Sequence, residues 1–403
     1  MLKDKSVLLG VSGGIAAYKS AELIRLLIKD GASVRVVMTA NAGQFVTPLT
    51  YQALSGYPVG TDLFGLEAEA RIGHIHQARM ADLVILAPAT ANLIAKMAAG
   101  IADDYLTTVL LATTAPTLVC PAMNVKMWEH PATQRNLKVL VELGYRIQDP
   151  SRGSLACGEE GMGRLAELSD IMESARRILT PPSLAGKSVL VSAGPTWEPF
   201  DPVRFISNPS SGKMGYALAA IAARRSAKVH LVSGPCSLAP PAGVERICVT
   251  TALQMRDAVT ALAPTMDAIV MAAAVSDYRP TEPAPLKMKK DSIDRIATLE
   301  PNPDILATLG ESKPPAQVLV GFAAETDNVL EHARAKLVRK NLDFIVANDL
   351  TKKGSGFATD TNEVRILERG GAILELPPLT KEEVATRVWD RIEKILAGEK
   401  QHA

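Results

Sequence analysis

Residues Lys187 to Gly215 read K-S-V-L-V-S-A-G-P-T-W-E-P-F-D-P-V-R-F-I-S-N-P-S-S-G-K-M-G. An apolar run, Ser188 to Ser192, stops at Gly194-Pro195, an acidic loop studded with prolines follows, and the pattern predicts a helix from Gly212. Strand, turn and helix in that order are how an α/β sheet begins. Residues 6 to 28 open the same way, with V-L-L-G-V-S-G-G leading into a long apolar-periodic helix. The repetition predicts two domains, each with its own site.

The chain has 403 residues, enough for roughly two or three domains with full cores. Lys and Arg (44) nearly balance Asp and Glu (43), so no overall field recruits nucleic acid or an anionic membrane, and any basic site is local. Four cysteines, Cys120, Cys157, Cys236 and Cys248, show no C-x-x-C spacing. That argues against a zinc site or redox dithiol and suits a reducing cytoplasm. No stretch approaches the ~20 apolar residues of a membrane helix, and the first apolar run breaks at Gly13-Gly14, too early for a secretory segment. A soluble, cytoplasmic protein is expected.

In the first half, Val7 to Val11, Val34 to Met38, Leu83 to Ala87 and Leu118 to Cys120 are short apolar runs separated by helical patterns, which predicts a doubly wound parallel sheet. Ligands then belong at the carboxyl ends of the strands. Ser12-Gly13-Gly14-Ile15-Ala16 is there, either as a tight turn or as a phosphate cradle at a helix N-terminus. It is not G-x-G-x-x-G, which counts against a dinucleotide. In A-P-A-T-A-N, Thr90 or Asn92 caps the next helix or bonds a phosphate. His74 and His76, in G-H-I-H, suit proton transfer or a structural role. Pro121 to Trp128 combines an amide, two thioethers and an indole, as a pocket wall or a piece of core would. Ser154 to Leu165 carries three glycines around Cys157; this predicts a mobile flap whose cysteine is better suited to proton donation or nucleophilic work than to packing.

Thr180 to Gly186, T-P-P-S-L-A-G, is the best linker, so the domains are expected at 1–180 and 187–403 with 181–186 between them. Beyond it, strands at Ser188 to Ser192, Lys228 to Val232, Ala268 to Met271, Val318 to Phe322 and Phe344 to Ala347 predict a second doubly wound parallel sheet. Asn208 to Gly215 reads as an N-cap cluster or an anion site. Asp277 stands at a carboxyl edge, to hold Mg²⁺ or a ribose hydroxyl or to cap a turn. Lys287-Met288-Lys289-Lys290 would by itself be a solvated face, but beside Asp277 it suits a nucleoside triphosphate with its metal. There is no G-x-x-x-x-G-K-[ST] loop. Lys336 and Lys340 share one helix face. Val346 to Asp349 and Gly356 to Asn362 complete a polar rim or make ordinary turns.

Together these motifs resemble the bifunctional phosphopantothenoylcysteine decarboxylase/phosphopantothenate–cysteine ligases of coenzyme A biosynthesis. The first half carries the resemblance in G-G-I-A-A-Y-K (Gly13 to Lys19), G-H-I, A-P-A-T-A-N, G-I-A-D-D, P-A-M-N-V-K-M-W and A-C-G-E-E-G-M-G-R-L. The second carries it in D-P-V-R-F-I-S-N-x-S-S-G-K-M-G, A-A-V-S-D-Y, K-x-K-K, N-P-D-I, G-F-A-A-E-T and V-A-N-D, so nearly the whole chain is covered. Trp197 stands where the family pattern favours a more polar residue.

The resemblance implies two Rossmann-like domains, a flavoprotein domain ahead of a nucleotide-dependent ligase. It implies that Gly14, Ile15, Thr39 and Thr90 hold FMN, with His74 as base, Asn124 gripping the substrate carboxylate and Cys157 as proton donor. It further implies that Met271, Ala272, Ala273, Asp277, Lys287, Pro303, Asp304, Ile305, Leu306, Phe322, Lys336 and Lys340 bind CTP, with Mg²⁺ at Asp277. Asn208 and Lys287 would serve the acyl-cytidylate step. Trimeric decarboxylase units and dimeric ligase units would close into a dodecamer.

The chemistry accounts for the flavin, because loss of CO2 from an unactivated cysteine carboxylate leaves a carbanion with no sink. In the family mechanism the substrate thiol is oxidised to a thioaldehyde, CO2 leaves to give an ene-thiolate, and reduced flavin plus an acid restore the thiol. In the ligase, the 4'-phosphopantothenate carboxylate attacks the CTP α-phosphate, pyrophosphate leaves, and the cysteine amine captures the mixed anhydride. A flavin-binding regulator that keeps the fold without the chemistry is the first rival, and the presence of His74, Asn124 and Cys157 gives it little support. A nicotinamide-dependent dehydrogenase is the second, and the missing G-x-G-x-x-G counts against it. Cys157→Ser is expected to release CO2 but stall at the oxidised ene-thiol; a normal yield of reduced product would remove Cys157 from the mechanism.

Overall fold

The computed structural model describes residues 2–63, 73–154, 158–288, 298–325, 328–349 and 361–398. Its chain divides into two compact units, Met1–Pro181 and Pro182–Ala403.

The first unit is built on five strands: β1 (Ser6–Val11), β2 (Ser33–Met38), β3 (Leu83–Ala89), β4 (Thr117–Pro121) and β5 (Arg146–Ile147). They form one parallel sheet in the order β2-β1-β3-β4-β5. All seven residues of β3 are buried, as expected of a strand covered on both faces, which needs apolar side chains without alternation. On β1, Val7, Leu9 and Val11 pack beneath the helices Ala17–Lys29 and Leu168–Leu179. Leu8, between them, faces Ala91–Ala99, Tyr105–Ala112 and Pro131–Glu142 on the other side. The strand order reverses beside β1, which makes the carboxyl ends of β1 and β3 the switch point where this architecture places ligands.

The expected flap is a hairpin, β6 (Ser151–Ser154) and β7 (Glu160–Arg164). Its glycines serve close approach. A Cβ on Gly161 would come within 2.6 Å of Val125, and one on Gly163 would collide with the Met123 carbonyl. The Met123 N–H donates to Gly163 O at 2.9 Å, which fixes β7 against residues 123–125. Cys157 lies outside the described residues.

The second unit starts with β8 (Ser188–Ala193), followed by a small hairpin of β9 (Trp197–Pro199) and β10 (Phe205–Ser207). Then come β11 (Lys228–Ser233), β12 (Val244–Cys248) and β13 (Ala268–Met271), and a pair of short strands, β14 (Tyr278–Pro280) with β15 (Leu299–Pro301). The chain continues through β16 (Val318–Glu325), β17 (Phe344–Asp349), β18 (Thr361–Asn362), β19 (Val364–Glu368), β20 (Ile373–Glu375) and β21 (Leu379–Thr380), the last pairing with β18. The main sheet runs β12-β11-β8-β13-β16-β17-β19-β20. It is parallel as far as β17, but β19 and β20 are antiparallel additions to the wholly parallel sheet expected from the sequence. For β20 the cause is local: Gly371, at φ +89, closes a tight turn that returns it beside β19.

On one face of β8, Val189 and Val191 pack under the helices Lys213–Arg224 and Lys381–Leu396. Leu190 packs on the other face with Ala252–Leu262, Ile305–Ser312 and Val329–Arg339. The Lys381 helix is clamped to the Lys213 helix. Trp389 is fully buried and its Nε1–H donates to Leu218 O at 2.8 Å. Arg225 donates to Asp390 (2.6 Å) and Glu393 (2.8 Å), and Arg224 to Glu382 (3.1 Å). Burying two guanidiniums is tolerable because each has carboxylate partners. Among the described residues, no helix is long and apolar enough to cross a membrane. Trp389→Ala is expected to destabilise the second unit by about 3–5 kcal/mol in denaturant unfolding; a loss below about 1 kcal/mol would mean that this helix is not part of the core.

Candidate active sites

In the first unit the switch point is tied together by Ser12. Its hydroxyl donates to Pro88 O at 2.8 Å and accepts the Thr90 N–H at 2.9 Å, joining the ends of β1 and β3. Gly13 admits no side chain, since a Cβ would lie 2.5 Å from that of Asn41, whereas Gly14 has ordinary clearance from Thr90. Thr90 caps the helix Ala91–Ala99, its Oγ1 accepting the Leu93 N–H at 3.3 Å; Asn92 is exposed on the helix and does not cap it. Thr39, just past the end of β2, has a buried hydroxyl with no hydrogen-bond partner among the described residues. Such an orphan calls for a ligand group or water. Gly14, Ile15, Thr39 and Thr90 thus gather at the carboxyl ends of β1, β2 and β3, with Ile15 exposed beside the turn. An open glycine turn at a helix start, an unsatisfied hydroxyl and an exposed apolar side chain fit the phosphate and ring of a flavin.

His74 is half-buried in the helix Gly73–Met80, and His76 is exposed. One turn on from His74 in the same helix, Gln77 keeps a buried Oε1 without a partner among the described residues, a group that the sequence did not single out. Asn124 caps the short helix Val125–Glu129, where a loop was expected, with Oδ1 accepting the Lys126 N–H at 2.7 Å. Its Nδ2 donates to Glu159 at 2.7 Å, a residue two positions from Cys157. Cys120 is core: it is fully buried and burial pushes its thiol far up, out of reach of ready ionisation.

The second unit holds a cavity of about 600 Å³. It gathers Asn208, Met271, Ala272, Ala273, Asp277, Pro303, Asp304, Ile305, Leu306, Phe322, Lys336 and Lys340, that is, every site residue expected in this half except Lys287. Lys287 is exposed and not part of the cavity lining. Backbone ties hold the A-A-V-S-D stretch in place. Asn208 Nδ2 donates to the carbonyls of Ala274 and Val275, both at 3.2 Å, and Asn302 Nδ2 donates to that of Ser276 at 2.8 Å. The Ser276 N–H donates to Thr196 Oγ1 at 3.0 Å. With the backbone so occupied, Ser276 Oγ and Asn348 Oδ1 remain buried and unsatisfied among the described residues, both on residues lining the cavity.

Asp304 caps the helix Ile305–Ser312 and pairs with Lys340 at 2.9 Å. Burial pushes its carboxyl up, but Lys340 and the Ala307 N–H outweigh that and hold it below the usual range. Asp277 is exposed at the cavity and sits in no cluster of three or more metal-ligating side chains among the described residues. A lone carboxylate fits Mg²⁺, which takes one or two protein oxygens and completes its shell with phosphates and water. Trp197, the departure from the family pattern, stacks on Phe205 with centroids 4.3 Å apart and packs the β9–β10 hairpin. Lys381 and Asn362 also line the cavity. Sequence reading placed Asn362 only in a rim and missed Lys381, whose one signal is a lysine at the first position of a helix, where acidic residues are favoured.

Residues 1–180 match the Flavoprotein family, and residues 184–396 match the DNA/pantothenate metabolism flavoprotein C-terminal domain. The chain is 48% identical over 397 residues to the coenzyme A biosynthesis bifunctional protein CoaBC of Vibrio parahaemolyticus, covering 98% of this chain and 99% of that one. Identity to the proteins of the same name from Bacillus subtilis and Escherichia coli is 49%, over 97% and 95% of this chain and the same shares of theirs. Among solved structures, the C-terminal domain of a CoaBC protein is 44% identical and covers 54% of this chain and 99% of its own, with a TM-score of 0.47.

Lys287 is positioned through Asp201. This carboxylate has no exposed side-chain surface and accepts the N–H groups of Val203 (2.8 Å), Arg204 (2.8 Å) and Met288 (3.2 Å). Burial pushes the Asp201 carboxyl up, but these donors and the Arg204 guanidinium hold it below the usual range. A depressed carboxyl stabilises the fold above its unfolded value, about 3.9, and that stability is lost as pH falls through the lower folded value. Because Met288 supplies one of the donors, loss of the charge frees the segment bearing Lys287. Asp201→Asn is expected to speed hydrogen exchange at the Met288 amide at neutral pH, where the wild type stays protected, losing that protection only in acid as the lowered Asp201 carboxyl takes up its proton. Equal protection in the two proteins at neutral pH would show that Asp201 is not the clamp.

Proposed function

The chain belongs to the family of bifunctional coenzyme A biosynthesis proteins, and from that premise we propose that it carries out two consecutive reactions. The first joins 4'-phosphopantothenate to L-cysteine with CTP, and the second decarboxylates 4'-phosphopantothenoylcysteine to 4'-phosphopantetheine. The observation that carries this reading is 48% identity across 98% of the chain and 99% of a bifunctional relative. Residues 1–180 are the decarboxylase domain, 181–186 the linker and 187–403 the ligase domain.

The first unit is a flavoprotein domain. FMN, when bound, supplies the electron sink that the decarboxylation requires. The turn at Gly14 and Ile15 offers backbone N–H groups to its phosphate, and the Thr39 and Thr90 hydroxyls lie at the same edge. His74 takes the proton of the substrate thiol. Asn124 Nδ2 grips the substrate carboxylate; it already donates to a carboxylate, that of Glu159, which stands in for the same chemical partner. Cys157 returns a proton to carbon after CO2 has left.

In the ligase unit the cavity takes CTP and the acyl substrate together. The 4'-phosphopantothenate carboxylate attacks the α-phosphorus and pyrophosphate leaves; the cysteine amine then attacks the acyl carbon, CMP leaves and the nitrogen loses a proton. Lys287, Lys336 and Lys340 offset the charge that develops on phosphate oxygens, Asp277 would hold Mg²⁺, which would supply further charge compensation, and Asn208 orients the acyl group. The described cysteines, Cys120, Cys236 and Cys248, are free thiols, which supports a cytoplasmic setting. Exposed Ile15, Tyr18, Phe45 and Leu49, past the ends of β1 and β2, support self-association, with the dodecamer of the resembling enzymes as the assembly.

With 4'-phosphopantothenate, cysteine, CTP and Mg²⁺ supplied, the protein is expected to form 4'-phosphopantetheine, CO2, CMP and pyrophosphate in equal amounts. Lys287→Gln should abolish pyrophosphate release and leave flavin content and decarboxylation of added 4'-phosphopantothenoylcysteine unchanged. A joint fall of both activities would refute the reading of two separate sites.

A further inference from the structure

Two cysteines of the second unit meet at the edge of its sheet, although no C-x-x-C spacing joins them in sequence. Cys248 ends β12, and its register partner across the parallel ladder is Ser233, the last residue of β11. Register partners lie about 4.8 Å apart and point to the same side of a sheet. Cys236 stands three residues past β11 with its sulfur 3.6 Å from Ser233 Oγ, so both thiols are neighbours of Ser233. Packing fixes the side: Val244, four positions before Cys248 on β12, joins Cys236 and Leu238 against the core under the helix Lys213–Arg224.

Arg246 joins the pair. Two positions before Cys248 and on the same side of β12, it donates from Nη1 to the Tyr216 hydroxyl at 3.4 Å and to Leu238 O at 3.1 Å. Cys236 donates its S–H to that same hydroxyl at 3.2 Å. The guanidinium is held above its ordinary value first by Tyr216 and then by the thiols of Cys248 and Cys236, so its charge reaches both sulfurs. Cys248 is exposed and Cys236 half-buried, an order in which an outside reagent meets one thiol before the other. Cys236 also touches the ligase cavity from behind. A Cβ on Gly212 would lie 3.4 Å from the Cys236 sulfur, and Gly212, at φ +77, N-caps the helix Lys213–Arg224 and lines the cavity with its first turn. The Cys236 loop has no slack at its start, where a Cβ on Gly234 would overlap the Pro195 carbonyl. A bond that draws Cys236 toward β12 therefore breaks the Tyr216 contact and disturbs the support of Gly212.

We propose that Cys236 and Cys248 form a dithiol modification site that reacts with low-molecular-weight disulfides, and that closing it slows the ligase. In the first step the Cys248 thiolate attacks one sulfur of the small disulfide; that S–S bond breaks, and one small thiolate leaves and takes up the proton that Cys248 gave. Cys236, deprotonated in turn, attacks the Cys248 sulfur; the protein S–S bond forms, and the second small thiolate leaves with that proton. The protein loses two electrons and two protons, and the reagent becomes two thiols. Exchange spreads negative charge over the sulfurs, and Arg246 offsets it. In a reducing compartment such a bond is transient, which makes it a sensor rather than a structural staple. The effect on catalysis rests on the ligase reading above; the bond itself does not.

Oxidised glutathione added to the full-length protein tests the proposal. Peptide mapping after free thiols are blocked is expected to show a Cys236–Cys248 cross-link. CTP-dependent pyrophosphate release is expected to fall about tenfold, as for a displaced site wall, and to return on reduction. Pyrophosphate is the readout because its release does not depend on Cys157. Cys248→Ser should match the untreated wild type and keep its rate after treatment. Cys236→Ser, which preserves a donor for Tyr216, should carry glutathione on Cys248 without loss of rate, and serves if the other variant does not fold. Separate glutathione adducts on the two cysteines of the wild type, unreacted thiols, or a cross-link that leaves pyrophosphate release unchanged would overturn the proposal. If the reduced wild type releases no pyrophosphate, the ligase reading fails instead, and the mapping still decides whether the dithiol closes.

Discussion

In both units the strands of the parallel sheet lie between two layers of helices, so their side chains are committed to apolar packing on both faces. Polar chemistry is left only the line where strands end. Because the strands are parallel, their carboxyl ends fall on one edge, and each unit has a single rim at which turns, caps and helix N-termini converge. Two short ties keep that rim in register. Ser12 joins the ends of β1 and β3 in the first unit, and Asn208 with Thr196 joins the loop after β8 to the loop after β13 in the second.

Ordinary capping and function share the same residues along these rims. Thr90, Asn124 and Asp304 each cap a helix, and each is also a proposed ligand group. A capping side chain is held in one rotamer by the bond it makes, so a ligand meets a group whose ordering cost has largely been met in folding. The same residues keep oxygen or nitrogen valences beyond the cap: Asn124 has its amide on Glu159, and Asp304 has its carboxylate on Lys340. Binding at either place would exchange one charge-assisted bond for another, which favours selectivity for carboxylate and phosphate over neutral groups.

The ligase cavity draws its charge from two layers that fold separately onto the sheet. Lys336 and Lys340 arrive on a helix over one face, whereas Lys213 and Lys381 arrive on helices over the other. The helices that bear Lys213 and Lys381 are fixed to each other by buried Trp389 and the ion pairs of Arg224 and Arg225. Stability and site geometry are therefore linked through the clamp between the Lys213 and Lys381 helices.

The sequence by itself determined the central strands of both sheets, the two-unit plan and the motifs at the strand ends, because each is a local matter. Apolar runs of buried strands and glycines at close turns are written within a few residues, as at Val7 to Val11 or Gly13. Tertiary structure decided what depends on distant partners. It placed Gly161 and Gly163 in a hairpin strand lying on residues 123–125, and added antiparallel β19 and β20 to a sheet whose expected pattern was parallel. It also set Lys287 outside the cavity lining, held through Asp201, and brought Lys381 into it from the last helix. No periodicity encodes these placements, since they follow from which helix packs against which face of the sheet and where its first turn then comes to rest.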